Sequence, residues 1–256
     1  MVKYVDLNAD SGESFGRYKL GNDEELFKYI TSANIACGFH AGDPSIMRKT
    51  VRLAKDLGVA VGAHPGFPDL MGFGRRALEV TRSDLENYVL YQIGALEAMA
   101  RAEGVELQHV KVHGALYNMA WTRRDYAEAI VNAIRLFNSK LILIVPQGSE
   151  MHKVAEEQGI KIAFEFFADR NYRSDGRLVP RSHPNALVLN INEAIERVIR
   201  AIDQGRVRSI EGIDIELSVH TVCIHGDSPH AIDLAKKLRE RLEEAGIRVA
   251  PLRVFL

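Results

Sequence analysis

Short β-branched runs alternate with amphipathic helical patterns along almost the whole chain, and no other feature of the sequence restricts its fold so strongly. The runs are YVDLN (4–8), ANIAC (33–37), VAVGA (59–63), HVKVH (109–113), LILIV (141–145), IKIAF (160–164), VHTVCIH (219–225) and IRVAP (247–251). Between most of them apolar residues fall at i, i+3, i+4 and i+7, as in SIMRKTVRLAKDL and DLENYVLYQIGALEAMARAE. Such alternation implies parallel strands joined by helical crossovers. Seven or eight units in 256 residues predict an α/β fold, an irregular (β/α) barrel of about seven strands, with a doubly wound open sheet as the alternative. No low-complexity linker divides the chain, so residues 1–256 read as one barrel domain.

Bulk properties exclude several classes. An apolar fraction of 46% with 26% charged residues is ordinary globular composition, and a formal net charge of −1 gives no reason to expect nucleic acid or a membrane surface. The basic run KKLRER (236–241) belongs on the wet face of a helix. The start of the chain carries no apolar leader and no apolar run approaches about 18 residues, so a cytoplasmic location is expected. Cys37 and Cys223 each sit in a strand-like run and read as buried, reduced thiols.

The two kinds of joint differ. Gly58, Gly104, Gly159 and Gly246 close four helices at the left-handed position, and a strand follows each almost at once. The strand-to-helix joints are long and polar. After the first strand come Asp6, Asn8, Asp10, Ser11 and Glu13, and after the second His40 and Asp43. His64 and Asp69 follow the third, and Lys111, His113, Tyr117 and Asn118 the fourth. Gln147 and Ser149 follow the fifth, then Glu165, Asp169, Arg170, Tyr172, Asp175 and Arg181 the sixth, and His225 and Asp227 the seventh. In a barrel these ends converge on one mouth, and so many charged groups on apolar strands are costly unless they serve a site.

Several of these residues have plainer explanations. Asp43 before Pro44, and Asp227 before Ser228-Pro229, fit helix N-caps. Asp6 lies inside its strand pattern, where a buried carboxylate held by its neighbours suffices. His109, His152, His220 and His230 read as structural. The 64–81 segment is long enough for a lid or binding loop. Its GFGRRA string (72–77) only superficially matches a dinucleotide fingerprint, and no P-loop pattern is present.

Three chemistries fit the strand ends. Asp10, His40 and His64 offer oxygen and imidazole ligands for a metal. Metal-free acid–base hydrolysis would use a His or carboxylate with Lys111 or Arg170 as oxyanion stabiliser. Phosphoryl transfer would use Lys111, Arg170 and Arg181. Period-two alternation puts Lys111 and His113 on one side of their strand, and Lys111 requires an anionic partner or ligand, with Glu165 or Asp6 as the candidate for a purely structural pairing. Catalytic roles are assigned to Asp10, His40, Lys111, His113 and Glu165, and substrate contacts to Asn8, His64, Arg170, Arg181 and His225.

The strings DLNADSGESFG, ANIACGFHAGDP, GAHPGFPDLMGFGRR, VKVHGALYN, EFFADRNY and CIHGDSP together resemble the LamB/YcsF family, from about Val5 to Pro251. One departure is Val112, where the family pattern has proline. The resemblance implies an irregular (β/α) barrel related to the polysaccharide deacetylases. It also implies the role of the A subunit of 5-oxoprolinase: ATP-dependent ring opening of 5-oxo-L-proline to L-glutamate, with Mg²⁺ accompanying ATP and with subunits B and C as partners. The deacetylase kinship keeps open a metal-dependent amide hydrolase, with Asp10, His40 and His64 as ligands. A non-catalytic protein that binds oxoproline for its partners is the third reading.

Overall fold

In the computed structural model, which describes residues 3–224, 226 and 230–256, seven parallel strands close into a barrel. They are β1 (Lys3–Ser11), β2 (Ser32–Ala36), β3 (Ala60–His64), β4 (Leu107–Val110), β5 (Ile142–Val145), β6 (Ile162–Phe167) and β9 (Thr221–Ile224). Closure comes from β1, which pairs with β2 along Asn8–Ser11 and with β9 along Asp6–Ala9. An eighth strand, β10 (Ile247–Val249), adds to the opening residues of β1. The barrel is irregular for that reason, as expected.

Helices cover the outside: α1 (Asp23–Leu26), α2 (Pro44–Leu57), α3 (Arg82–Ala102), α4 (Gly114–Thr122), α5 (Arg124–Asn138), α6 (Glu150–Glu157), α7 (Ile191–Gln204) and α8 (Ala231–Glu244). None among the described residues is long and apolar enough to cross a membrane. The local rules hold where they are tested. Asp43 caps α2, its Oδ1 accepting from the amides of Ser45 and Ile46, with Pro44 in the first turn. The four glycines expected after helices all take φ between 69° and 74°. Asp227, the other expected cap, lies outside the described residues. A small antiparallel hairpin, β7 (Arg206–Arg208) with β8 (Asp214–Glu216), escapes the sequence reading because three-residue strands are too short to show a period.

The barrel interior is polar as well as apolar. Asp6, Asn8, Ser32, Asn34, His109 and Thr221 are all fully buried. They satisfy one another: Asn8 donates to Thr221 Oγ1 at 2.7 Å, Asn34 donates to Asn8 Oδ1 at 2.8 Å, and His109 Nε2 donates to Asn34 Oδ1 at 2.8 Å. His109 is structural, as predicted. Burial pushes its pKa down to about 3, so the ring stays neutral.

Asp6 is held by three hydroxyls, from Thr31 (2.7 Å), Ser32 (2.6 Å) and Thr221 (2.5 Å). Burial nonetheless outweighs them and raises its pKa from 3.8 to about 6. Between those values the folded chain holds a proton that the unfolded chain has lost, so stability falls as pH rises through the window. The loss above it is on the order of 3 kcal/mol. In Asp6→Asn this component disappears. Urea unfolding of both proteins from pH 4 to 7 should show a wild-type-minus-variant difference that changes with pH by that amount. A pH-independent difference would mean that Asp6 is ionised in the folded chain throughout.

Candidate active site

Lys111 and His113 follow directly on β4 and keep its extended course, the Lys111 and His113 amides donating to the carbonyls of Ala63 and Pro65 at 2.9 Å. Alternation therefore persists beyond the strand, with Val110 and Val112 in the apolar core and Lys111 and His113 on a cavity wall. The Lys111 ammonium lies between two carboxylates, 2.9 Å from Asp10 Oδ1 and 2.8 Å from Glu165 Oε1. It also donates to Cys223 Sγ at 3.1 Å and Asn8 Oδ1 at 3.3 Å. Burial alone would strip its proton, but Asp10, the Cys223 sulfur and Glu165 raise its pKa well above the ordinary value. Burial would likewise raise Asp10, yet His64 and Lys111 hold that carboxyl well below its usual range. The floor of the cavity thus carries a fixed ammonium flanked by a fixed carboxylate.

Beside this group three imidazoles meet. His40 stacks on His113 with ring centroids 3.8 Å apart and 3° between planes, and His64 stands edge-on to both. His64 Nδ1 is 2.6 Å from the Lys111 carbonyl, and its Nε2 lies 3.0 Å from His113 Nδ1 and 3.3 Å from Asp10 Oδ2. His113 Nε2 bonds the Phe73 carbonyl at 2.9 Å. Burial lowers the pKa of His40 well below its ordinary value and that of His113 to about 3. Glu13, His40, His64 and His113 each offer one ligand atom within 4.8 Å of the others, so this group could hold a metal ion.

The cavity above has a volume of about 660 Å³. Asp10, His64, Lys111, His113, Tyr117 and Phe167 line its floor, and the exposed side chains of Arg75, Arg177 and Arg181 line its rim. The 64–81 segment forms one wall, and it is fastened rather than loose. Gln92 bonds both the amide and the carbonyl of Gly66 at 2.9 Å, the Asp69 carboxylate accepts from the Gly72 amide at 2.9 Å, and Tyr126 donates to the Leu78 carbonyl at 3.1 Å. Phe73, at φ 53°, is the only non-glycine among the described residues with a left-handed backbone.

The model of the LamB/YcsF family matches residues 5–256. The chain belongs to that family. The A subunit of 5-oxoprolinase from Pyrococcus horikoshii is 55% identical over 252 residues, 98% of this chain and 99% of that protein. The crystal structure of a lactam utilization protein from Thermus thermophilus superposes with a TM-score of 0.93 at 45% identity, covering 96% of this chain and 99% of that one. A family 4 carbohydrate esterase from Streptomyces lividans shares the fold alone, with a TM-score of 0.50 at 12% identity over 96% of this chain and 91% of its own.

Within this family fold the residues singled out from sequence fall into three groups. Asp10, His64, Lys111 and His113 face the cavity together. Asn8, His40 and Glu165 are buried behind them. Asn8, expected to contact substrate, instead ties β1 to Thr221, Asn34 and Lys111, and Glu165 pairs with Lys111. Arg170 reaches the cavity wall, but its guanidinium is committed to the carbonyls of Val179 (2.6 Å) and Ala186 (3.4 Å). Arg181 stays exposed at the rim, while His225 lies outside the described residues. Of the expected metal ligands, His40 and His64 join Glu13 and His113, whereas Asp10 Oδ1 is engaged by Lys111 and Asn34.

Sequence reasoning passed over three participants. Glu13 was visible as one more carboxylate after β1, and its place three residues beyond Asp10 was the available signal. Tyr117, on α4, buries its hydroxyl, and the charge of Glu165 adds to burial in raising the Tyr117 pKa. Arg75 and Arg76 look alike in sequence, yet Arg76 pairs with Asp69 and Arg75 lines the cavity.

Proposed function

We propose that this chain acts as a single barrel domain and as the A subunit of a 5-oxoprolinase, in the ATP-dependent hydrolysis of 5-oxo-L-proline to L-glutamate together with subunits B and C. The names of the relatives support the substrate class. The observation that carries the reading is the Lys111 ammonium, fixed between Asp10 and Glu165 at the floor of a cavity with a cationic rim.

A lactam presents a weakly electrophilic carbonyl carbon, a carbonyl oxygen that gains negative charge on attack, and in oxoproline a separate carboxylate. Lys111 is placed to stabilise the developing oxyanion, a contact stronger in the transition state than in the ground state. Asp10 keeps its second oxygen toward His64 and is ionised, so it suits the acceptance of a proton from attacking water. Arg75 and Arg181 supply charge for the substrate carboxylate or for phosphate. ATP, accompanied by Mg²⁺, supplies the driving force: its γ-phosphoryl group activates the amide oxygen and leaves as phosphate. Water adds to the activated carbon, the ring C–N bond breaks with the nitrogen taking up protons to become the amino group, and an acyl phosphate remains. A second water attacks its carbonyl carbon, whose oxygen carries the developing charge, and releases phosphate and glutamate.

The test is a coupled assay of the reconstituted complex. Glutamate and ADP should form in equal amounts, depend on oxoproline, and stop when this chain is left out. Glutamate formation at an unchanged rate without the chain would reject the reading. Oxoproline binding by this chain, with full turnover supplied by the partners, would make it the non-catalytic member of the complex instead.

A further inference from the structure

The hydrogen bonds of the three imidazoles fix where their protons are. A carbonyl oxygen only accepts, so His64 donates from Nδ1 to Lys111 and His113 donates from Nε2 to Phe73. With a single proton on each ring the remaining nitrogens, His64 Nε2 and His113 Nδ1, would both present lone pairs, and they face each other at 3.0 Å. Two lone pairs cannot bond to one another. A positive centre shared between them resolves the conflict.

The surroundings supply further donors for such a centre. His40 is buried and neither of its nitrogens makes a hydrogen bond among the described residues. Gly66 lies over the Nδ1 side, where a Cβ would come within 2.8 Å, so Nε2 is the nitrogen turned toward Glu13, whose Oε1 is 3.4 Å away. The same Glu13 oxygen is 3.8 Å from His113 Nδ1. Bond lengths of about 2.0–2.1 Å to nitrogen and oxygen place tetrahedral ligands about 3.4 Å apart, within the spread seen here. Backbone carbonyls that accept the outer N–H groups of His64 and His113 are the usual orienting partners of metal-bound imidazoles. Four successive strands, β1 to β4, each contribute one residue at the same end of the barrel.

We infer that Glu13, His40, His64 and His113 bind one divalent transition ion of the Zn²⁺ or Co²⁺ class. Three imidazoles and one carboxylate select such an ion over Mg²⁺, which prefers oxygen ligands in octahedral array. Asp10, 3.3 Å from His64 Nε2, borders the centre without belonging to it. Binding is read directly, so the inference stands or falls separately from the ring-opening reaction.

The experiment uses the full chain, stripped by chelation and titrated with Co²⁺. One equivalent should bind with the intense visible absorption of a four-coordinate site, and Zn²⁺ should displace it. His113→Gln and Glu13→Gln, checked for folding by circular dichroism, should each weaken binding by about 10²-fold or more, and a change at the exposed His183, His183→Gln, should not. If either ligand variant unfolds, the wild-type spectrum and stoichiometry alone decide. Absence of stoichiometric Co²⁺ and Zn²⁺ uptake by the wild type, with both nitrogens of His64 protonated by ¹⁵N chemical shift, would show that a proton resolves the conflict and overturn the inference. A six-coordinate spectrum, or affinity unchanged in both variants, would overturn it as well.

Discussion

Lys111→Met is expected to abolish turnover and to destabilise the fold, and the two effects are separable. Met keeps the length of the stem but removes the ammonium between Asp10 and Glu165. The Glu165 side chain is fully enclosed, so it is left as an uncompensated buried charge, at a cost of about 3–5 kcal/mol. Asp10 keeps partial access to water and suffers less. In Lys111→Met/Glu165→Gln the stranded charge is gone, and most of that stability should return. Turnover should not. Loss of an oxyanion donor lowers the rate by about 10²–10³-fold, and the double variant still lacks the donor. Urea unfolding and oxoproline-dependent ADP release in the complex, measured on both proteins, separate the two effects. A double variant with near wild-type turnover would make Lys111 a structural counter-ion and remove it from the mechanism.

The second large effect is on stability alone. A Cβ on Gly62 would fall 2.1–2.4 Å from three atoms of the His109 ring, closer than any real contact. The ring cannot retreat, because Asn34 Oδ1 and Gln108 Nε2 hold its two nitrogens at 2.8 and 3.2 Å. Gly62→Ala should therefore cost at least the upper end of the roughly 1–3 kcal/mol typical of overpacking. Gly94, inside α3 with open space at its Cβ position, provides the contrast. Gly94→Ala should stabilise by about 0.5–1 kcal/mol through helix propensity. Unfolding midpoints that shift in the same direction for both variants would contradict the packing described for β3 and β4.

What could be read from the residues in order was whatever depends on local period and local sterics. Strand and helix periods defined the barrel strands, because each is set by backbone geometry within a few residues. Pro44 after Asp43 marked a cap, and the glycines after four helices marked left-handed turns. The shared side of Lys111 and His113 followed from alternation and survived beyond the end of β4. The alternation also said which ends of the strands would be polar, and the cavity is there.

Which polar residues meet at that end was decided by barrel closure. Asp10 lies near the end of β1 and Glu13 just beyond it, but only the relative positions of β1, β2, β3 and β4 put Glu13 against the imidazoles and Asp10 against Lys111. Arg170 looked like an anion ligand in sequence, yet the turns around Val179 and Ala186 bring carbonyls that occupy it. Arg76 pairs with Asp69 and Arg75 lines the cavity, a division set by the fold of a single loop. The physical reason is the same in each case. Local patterns fix the direction in which a side chain leaves its own strand, whereas a site depends on distances between strands far apart in sequence, and those exist only once the sheet has closed.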